Sequence, residues 1–413
     1  MSGTQLHIDC YTANLGSWRI AGTGTPWLEH VESAFRPSLW HRLFIGPTPS
    51  GHLAAYRSPG VIAVGVPAYL LSGATASPST FSMLPGNITA AILTAATVLM
   101  LMRALVGVVR PAVNLLAGAV VGLMTPYWSI SANMLWTHSL TDFALAGVAW
   151  SARRERWWLL GVFGGIGLWG RFHVALIVAI LALGLAWSRR SPRIAVTVGS
   201  IGAVFTAGAM VWSHWMYQTW SPLGGYGTPG HFASAATHTS LLDHLRNEAG
   251  LWFALDRGLP IWTPILVLLL PAVVRGWRLA PDWTRLLAIG GLAYLFAQGV
   301  IDVYDGGDAF YGYRLALETL TCLVPLYAVC ARHAGRVARV LTPAVLGLQL
   351  AAFSVGGATG RFYINKKHAW TQNAFVDALH EFPVLWVYLG ICVLLAYGVA
   401  MIVRDLGRRA AAV

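Results

Sequence analysis

Apolar stretches long enough to cross a bilayer, or nearly so, recur from residue 86 to residue 403, and arginines crowd the short connections on one side of them. A crossing needs roughly 20 apolar residues, fewer where the helix packs inside protein. On that basis crossings are expected at 86–107, 112–126, 132–150, 157–170, 171–187, 194–216, 260–274, 285–301, 314–331, 338–356 and 383–403, eleven in all. The stretch 157–187 also accommodates one long helix in place of two short ones. Only 11% of the residues are charged, against roughly 25% in soluble domains, so a water-soluble fold is effectively excluded. The 19 Trp and 44 Gly suit membrane helices with aromatic belts. The expected fold class is an all-α polytopic membrane protein of about 11 transmembrane helices, with outer-face loops and interfacial helices.

The basic residues set the orientation. Arg103, Arg110, Arg153, Arg154, Arg156, Arg189, Arg190, Arg193, Arg275, Arg278, Arg285, Arg332, Arg336, Arg339, Arg404, Arg408 and Arg409 fall between crossings on one side, opposed there only by Glu155, Asp282 and Asp405. The positive-inside rule makes that face, and with it the C-terminus, cytoplasmic. The opposite face holds most of the acids and the long segments 1–85, 217–259 and 357–382, so a functional site is expected outside. The chain thus divides into a first extracytoplasmic loop (1–85), a transmembrane core (86–331) and C-terminal transmembrane helices with an outer loop (332–413). Gly60–Leu71, apolar but short and holding Pro67, reads as an interfacial or re-entrant helix. With the N-terminus outside and no segment to carry it across, an upstream start encoding one further helix is expected, which makes 12 crossings. The net charge of +12 is mostly this topological signal, and no nucleic-acid partner is expected. Cys10, Cys322, Cys330 and Cys392 form no metal-like or disulfide pattern.

Several outer-face residues carry chemistry. Asp9, in His7-Ile8-Asp9-Cys10-Tyr11-Thr12, is placed at the interface, where a carboxylate accepts a proton from an attacking hydroxyl. The plainer reading is a solvated loop acid or helix cap. Arg57, in Tyr56-Arg57-Ser58-Pro59-Gly60, lies at headgroup depth and suits a lipid phosphate, or simply snorkels. His138 and Asp142 are four apart on one helix face, so a His–Asp hydrogen bond is the structural expectation. An ionisable group in a membrane segment is also a functional candidate by default. Arg171, in Gly170-Arg171-Phe172-His173, interrupts the longest apolar stretch and requires an anion.

The densest stretch runs from Asp302 through Tyr304, Asp305, Gly306, Gly307, Asp308, Phe310, Tyr311, Gly312 and Tyr313 to Arg314. Arg314, taken as the first turn of a helix, is expected to pair with Glu318 one turn on. Glycines permit close backbone approach, and acids receive sugar hydroxyls. Asp302, Asp305 and Asp308 stand three apart on a flexible loop and make a poor metal site, so no metal or cofactor is expected. Lys366-Lys367-His368 reads as a surface charge patch, or as a contact for an anionic headgroup.

Taken in order, these stretches resemble the GT-C superfamily of polytopic glycosyltransferases, which take sugars from polyprenyl-phosphate carriers. The resemblance rests on Asp9-Cys10-Tyr11, Arg57-Ser58-Pro59-Gly60 with its helix, and Trp128-Ser129 through Leu135-Trp136-Thr137-His138. It continues in Arg257-Gly258-Leu259-Pro260-Ile261-Trp262-Thr263-Pro264 and in Gly306-Gly307 through Tyr311-Gly312-Tyr313-Arg314 with Glu318, and reaches about Leu326. The look is bacterial, especially actinobacterial. The resemblance implies Asp9 as catalytic base. The carrier phosphate falls to Arg314, Arg171 and Arg57, with His138 and His173 as auxiliary donors. Tyr11, Trp136, Asp308, Tyr311 and Glu318 are expected to bind substrate.

The activity so implied is inverting transfer of a hexose or pentose, with mannose and arabinofuranose as the sugars expected. The site lies on the extracytoplasmic face of a bacterial plasma membrane, and the prenyl chain in a groove along residues 60–85. The family's usual large C-terminal periplasmic domain has no counterpart, which favours a membrane-presented glycan or glycolipid acceptor. Two alternatives remain, a lipid-linked glycan ligase or polymerase and a polytopic lipid or sugar transporter. Transporters usually show internal repeats and helices broken at mid-membrane, whereas no repeat is visible and the polar residues gather at one surface.

Overall fold

The computed structural model describes residues 7–29, 31, 43–225, 240–308, 310–359 and 362–410. Of the expectations above, those touching Ala309 and the 226–239 part of the outer segment lie outside the described residues. The chain is mostly helical. Ahead of residue 85 come α1 (Ile8–Thr23), a hairpin of β1 (Ile45–Pro47) and β2 (Leu53–Ala55), and α2 (Pro59–Leu71). There follow α3 (Leu84–Leu105), α4 (Pro111–Leu123), α5 (Thr137–Arg153), α6 (Trp157–Gly170), α7 (Val174–Ser188), α8 (Pro192–Tyr217) and α9 (Leu241–Phe253). The last third holds α10 (Leu259–Trp262), α11 (Ile265–Gly276), α12 (Asp282–Ile301), α13 (Leu317–Cys330), α14 (Arg336–Thr359), α15 (Ala374–Glu381) and α16 (Val384–Ala410). Among the described residues five helical spans are long and apolar enough to cross a membrane: Pro78–Leu105, Pro192–Tyr217, Asp282–Ile301, Arg336–Thr359 and Val384–Ile402.

Local chemistry explains the boundaries. Pro111 and Pro192 open α4 and α8, where a missing N–H costs nothing. Arg171 is extended, at φ −147° and ψ 117°, so 157–187 is two helices. Thr263 precedes Pro264, which disfavours helical geometry, and 260–274 is accordingly split between α10 and α11. A π-turn at Tyr127–Ser131 follows Pro126, and α5 starts only at Thr137.

The described residues ahead of 85 form more helix and strand than a loop with one interfacial helix. Ser17 of α1 donates from Oγ to the Ile62 carbonyl of α2 at 2.8 Å. A Cβ on Gly65 would stand 2.5 Å from that same Oγ, so glycine is what lets the two helices cross so closely. Gly86 of α3 plays the same part against Asn14, whose Oδ1 accepts from the Tyr69 hydroxyl at 2.9 Å. The antiparallel hairpin, with Ile45 opposite Ala55, departs from the all-α expectation; its turn contains Pro49 and Gly51, the latter at φ +83°.

Alternate connections meet at opposite ends of the bundle. At one end Arg189 pairs with Glu155 and approaches Asp282 at 3.5 Å, beside a 410 Å³ cavity lined by Gly107, Arg153 and Arg332 among others. These connections are the arginine-rich ones. At the other end the 302–316 loop meets Asp9 of α1, Arg257 ahead of α10, and Lys366.

Candidate functional site

Asp9 sits in the first turn of α1, where the helix dipole favours a carboxylate. Its two oxygens are held by different guanidiniums. Arg57 Nη2 donates to Oδ1, and Arg314 Nη1 donates to Oδ2 at 2.9 Å. Arg57 comes from the link between β2 and α2, where its backbone is fixed by the Tyr217 hydroxyl, which donates to the Arg57 carbonyl at 2.9 Å. Its guanidinium lies 3.8 Å from the Phe44 ring centre. The guanidinium of Arg314 faces Trp136 at 5.0 Å and Phe310 at 5.5 Å. The Asp9 side chain remains 24% exposed and hence reachable.

The electrostatics follow from this clamp. Burial alone would raise the Asp9 pKa, but Arg57, then Arg314 and His7, hold it far below the ordinary carboxylate range. The His7 ring centre lies 4.0 Å from that of Trp136, the two planes tilted by 51°. Burial depresses its pKa to about 3, against the pull of Asp9 and of a hydrogen bond to the Asp308 backbone. At neutral pH the site therefore holds a neutral imidazole, one carboxylate and two guanidiniums.

Beneath Trp136 lies a second polar cluster. Glu318 is fully buried, and its Oε1 accepts from Thr141 Oγ1 at 2.7 Å and lies 2.9 Å from His138 Nδ1. Arg171 Nη1 is 3.8 Å from that oxygen and 3.0 Å from His138 Nε2. A neutral His138 protonated on Nδ1 satisfies both neighbours, donating to Glu318 and accepting from Arg171. Gln298 Oε1 accepts from Arg171 Nη2 at 3.1 Å and from His173 Nε2 at 2.8 Å, and its Nε2 donates to Asp302 Oδ2 at 3.3 Å.

Two expected pairings are corrected here. Arg314 does not pair with Glu318, because the chain does not become helical until Leu317 and the two side chains diverge, one to Asp9 and the other to His138. Asp142 does not pair with His138; it accepts instead from Ser131 and Thr321 hydroxyls at 3.2 and 2.9 Å. The anion that Arg171 requires is Glu318 of the same chain.

The remaining candidates separate into packing and loop roles. Tyr11 packs with Leu15 and Trp18 and sets its ring edge-on to Phe81 at 5.1 Å. Tyr311 is buried over Gly356 and donates to the Ala352 carbonyl at 2.9 Å. Neither is at the Asp9 clamp. Asp308 is exposed and accepts from the Lys366 backbone at 2.8 Å, joining two loops. Asp305 Oδ1 accepts from the Gly307 backbone at 2.7 Å. Gly306, Gly307 and Gly312 stand at φ +62°, +92° and +94°, so the loop needs glycine at these turns. Among the described residues no group of three or more His, Cys, Asp or Glu is arranged to hold a metal ion.

Sequence reasoning gave no role to the residue that holds this loop. Arg257 is 1% exposed; Nε donates to the Asp305 carbonyl at 3.0 Å, Nη1 to the Gly312 carbonyl at 3.3 Å and Nη2 to the Ile364 carbonyl at 3.3 Å. Its charge is met by Asp256, whose carboxyl burial pushes up to about 6. The guanidinium also lies 4.1 Å from the Phe310 ring centre, the ring that faces Arg314. Arg257 thus positions Arg314 through the loop. No side-chain pattern announces this role, since Arg257 donates to three backbone carbonyls.

No protein-family model, no curated protein and no solved structure matches this chain.

Proposed function

We propose that this chain is an integral-membrane glycosyltransferase of the GT-C type with about eleven crossings, its Asp9 site facing the extracytoplasmic side of a bacterial plasma membrane. The observation that carries the reading is the meeting of Asp9, Arg57 and Arg314, three residues separated by 48 and 305 positions, around one reachable carboxylate. The donor is a sugar, mannose or arabinofuranose, on polyprenyl phosphate. The acceptor is a membrane-presented glycan or glycolipid.

In this reaction the acceptor oxygen bonds to the anomeric carbon from the face opposite the phosphate. The carbon–oxygen bond to the phosphate breaks, the lipid phosphate leaves with that electron pair, and the hydroxyl proton passes to Asp9. Negative charge grows on the phosphate, so guanidiniums fixed beside it stabilise the transition state more than the ground state. Arg314 and Arg57 take that part. Arg171 and His138, already engaged with Glu318, act beneath the site by holding α5, α6 and α13 together. Trp136, expected to bind substrate, is 3% exposed and lies between the two clusters, its ring against Arg314 and His7, so its part is to hold the clamp in place.

The reading is tested by sugar transfer from radiolabelled prenyl-phosphate mannose and arabinofuranose in membranes carrying the chain. Arg314→Met is expected to lower kcat/KM by about 10²–10³, the usual cost of removing one preorganised donor. Unchanged transfer would refute the phosphate role. A lipid-linked glycan ligase is the second reading, favoured by the contact between His138 and Arg171. It requires activity that survives the loss of Asp9.

A further inference from the structure

The clamp around Asp9 holds more donors than one carboxylate uses. Both Asp9 oxygens are taken, yet Nε of Arg57 and Nε of Arg314 are buried without a hydrogen-bond partner. A guanidinium presents five N–H donors in a planar fork, and a phosphate offers more acceptor oxygens than a carboxylate, in a geometry that suits two such forks. The aromatic faces of Phe44, Trp136 and Phe310 keep each guanidinium in place while leaving its edge free to change partner.

We infer that a phosphate entering this site draws Arg57 and Arg314 away from Asp9, and that this exchange is what turns the carboxylate into a base. The inference rests on the carrier-phosphate reading above and adds an order of events to it. Held by two cations, a carboxylate has little affinity for a proton. Once those cations face a phosphate, Asp9 is a half-buried carboxylate beside an anion, and its proton affinity rises. Acceptor activation therefore waits for the donor, and water reaching the empty clamp meets no base.

Other titratable and charged groups surround Asp9. Cys10 lies on the same helix and His7 just ahead of it; Arg57 comes from the hairpin link, with the Tyr217 hydroxyl of α8 behind it. Arg314 and Asp308 belong to the 302–316 loop, with Arg257 and its partner Asp256 further back. Of these, Asp9 is the carboxylate that the exchange strips of both its cations.

The experiment uses the purified full chain in detergent and farnesyl methyl phosphate, a phosphodiester with the donor's linkage and no sugar. Calorimetric titrations at about pH 5, in two buffers of different ionisation enthalpy, count protons taken up on binding. The wild type is expected to take up a fraction of a proton. Asp9→Asn is expected to take up none and to bind on the order of tenfold tighter, since no carboxylate competes for the arginines. Proton uptake by the wild type is read without any variant, so misfolding of Asp9→Asn does not decide the matter. Binding without proton uptake by the wild type, or no tighter in an Asp9→Asn protein whose unfolding midpoint matches the wild type, overturns the exchange while the carrier-phosphate reading stands. Absence of binding to the wild type overturns both.

Discussion

Glu318 ties three helical segments together through one buried carboxylate. Its side chain is 0% exposed and meets His138, Thr141 and Arg171, drawing α5, the break after α6 and α13 to one point. Glu318→Leu removes the carboxylate and leaves Arg171, 10% exposed, without its counter-charge. Breaking one side of a buried pair costs about 3–5 kcal/mol, mostly through the uncompensated charge. Replacing both partners with apolar residues removes that penalty, so Arg171→Leu with Glu318→Leu is expected to recover at least half of the loss. The cycle should show a coupling of about 1–3 kcal/mol. The assay is equilibrium unfolding in mixed micelles followed by tryptophan fluorescence. A cost below about 0.5 kcal/mol for Glu318→Leu, within the range of ordinary surface changes, would refute the assignment. So would costs that add in the double variant.

Two further outcomes follow from the same contacts. His7 has a folded pKa of about 3 against an ordinary 6.5, so between these values the unfolded chain binds more protons. Its contribution is present above pH 6.5 and is lost as the pH falls towards 3. Between pH 7 and 5 this amounts to at most about 2 kcal/mol, seen as a difference in acid stability between the wild type and His7→Phe. Equal pH slopes for the two proteins would count against a buried neutral His7. Gly86→Ala places a Cβ 1.7 Å from Asn14 Oδ1 and should cost about 1–3 kcal/mol by displacing the Asn14–Tyr69 hydrogen bond. Unfolding midpoints measure it, and an unchanged midpoint would show that α1 and α3 separate freely there.

Much of this architecture was readable from residue patterns, because apolar length and proline placement act locally. The Gly170-Arg171 step divides two helices as expected, whereas Pro264 splits the stretch 260–274, expected as one crossing. The hairpin at 45–55 left no comparable trace, since three-residue strands carry too little alternation to register. Asp9, Arg57 and Arg314 were each visible as charges at the ends of apolar stretches. Their partnership was not, because it closes loops of 48 and 305 residues. The pairing of Arg314 with Glu318 failed for a definite reason. It assumed helical spacing from residue 314, whereas the turn at Gly312, φ +94°, delays the helix to Leu317. Arg257 had no legible role because its acceptors are backbone carbonyls, which no side-chain pattern encodes.

The central claim is that Asp9 accepts the proton in a sugar transfer driven by departure of a lipid phosphate. Its most direct test is the rate of transfer from the prenyl-phosphate sugar that the wild type uses, measured with Asp9→Asn in membranes at matched protein levels. A positioned general base contributes about 10²–10⁴, so kcat should fall by that factor while the phosphodiester still binds. Transfer at the wild-type rate in Asp9→Asn would contradict the account.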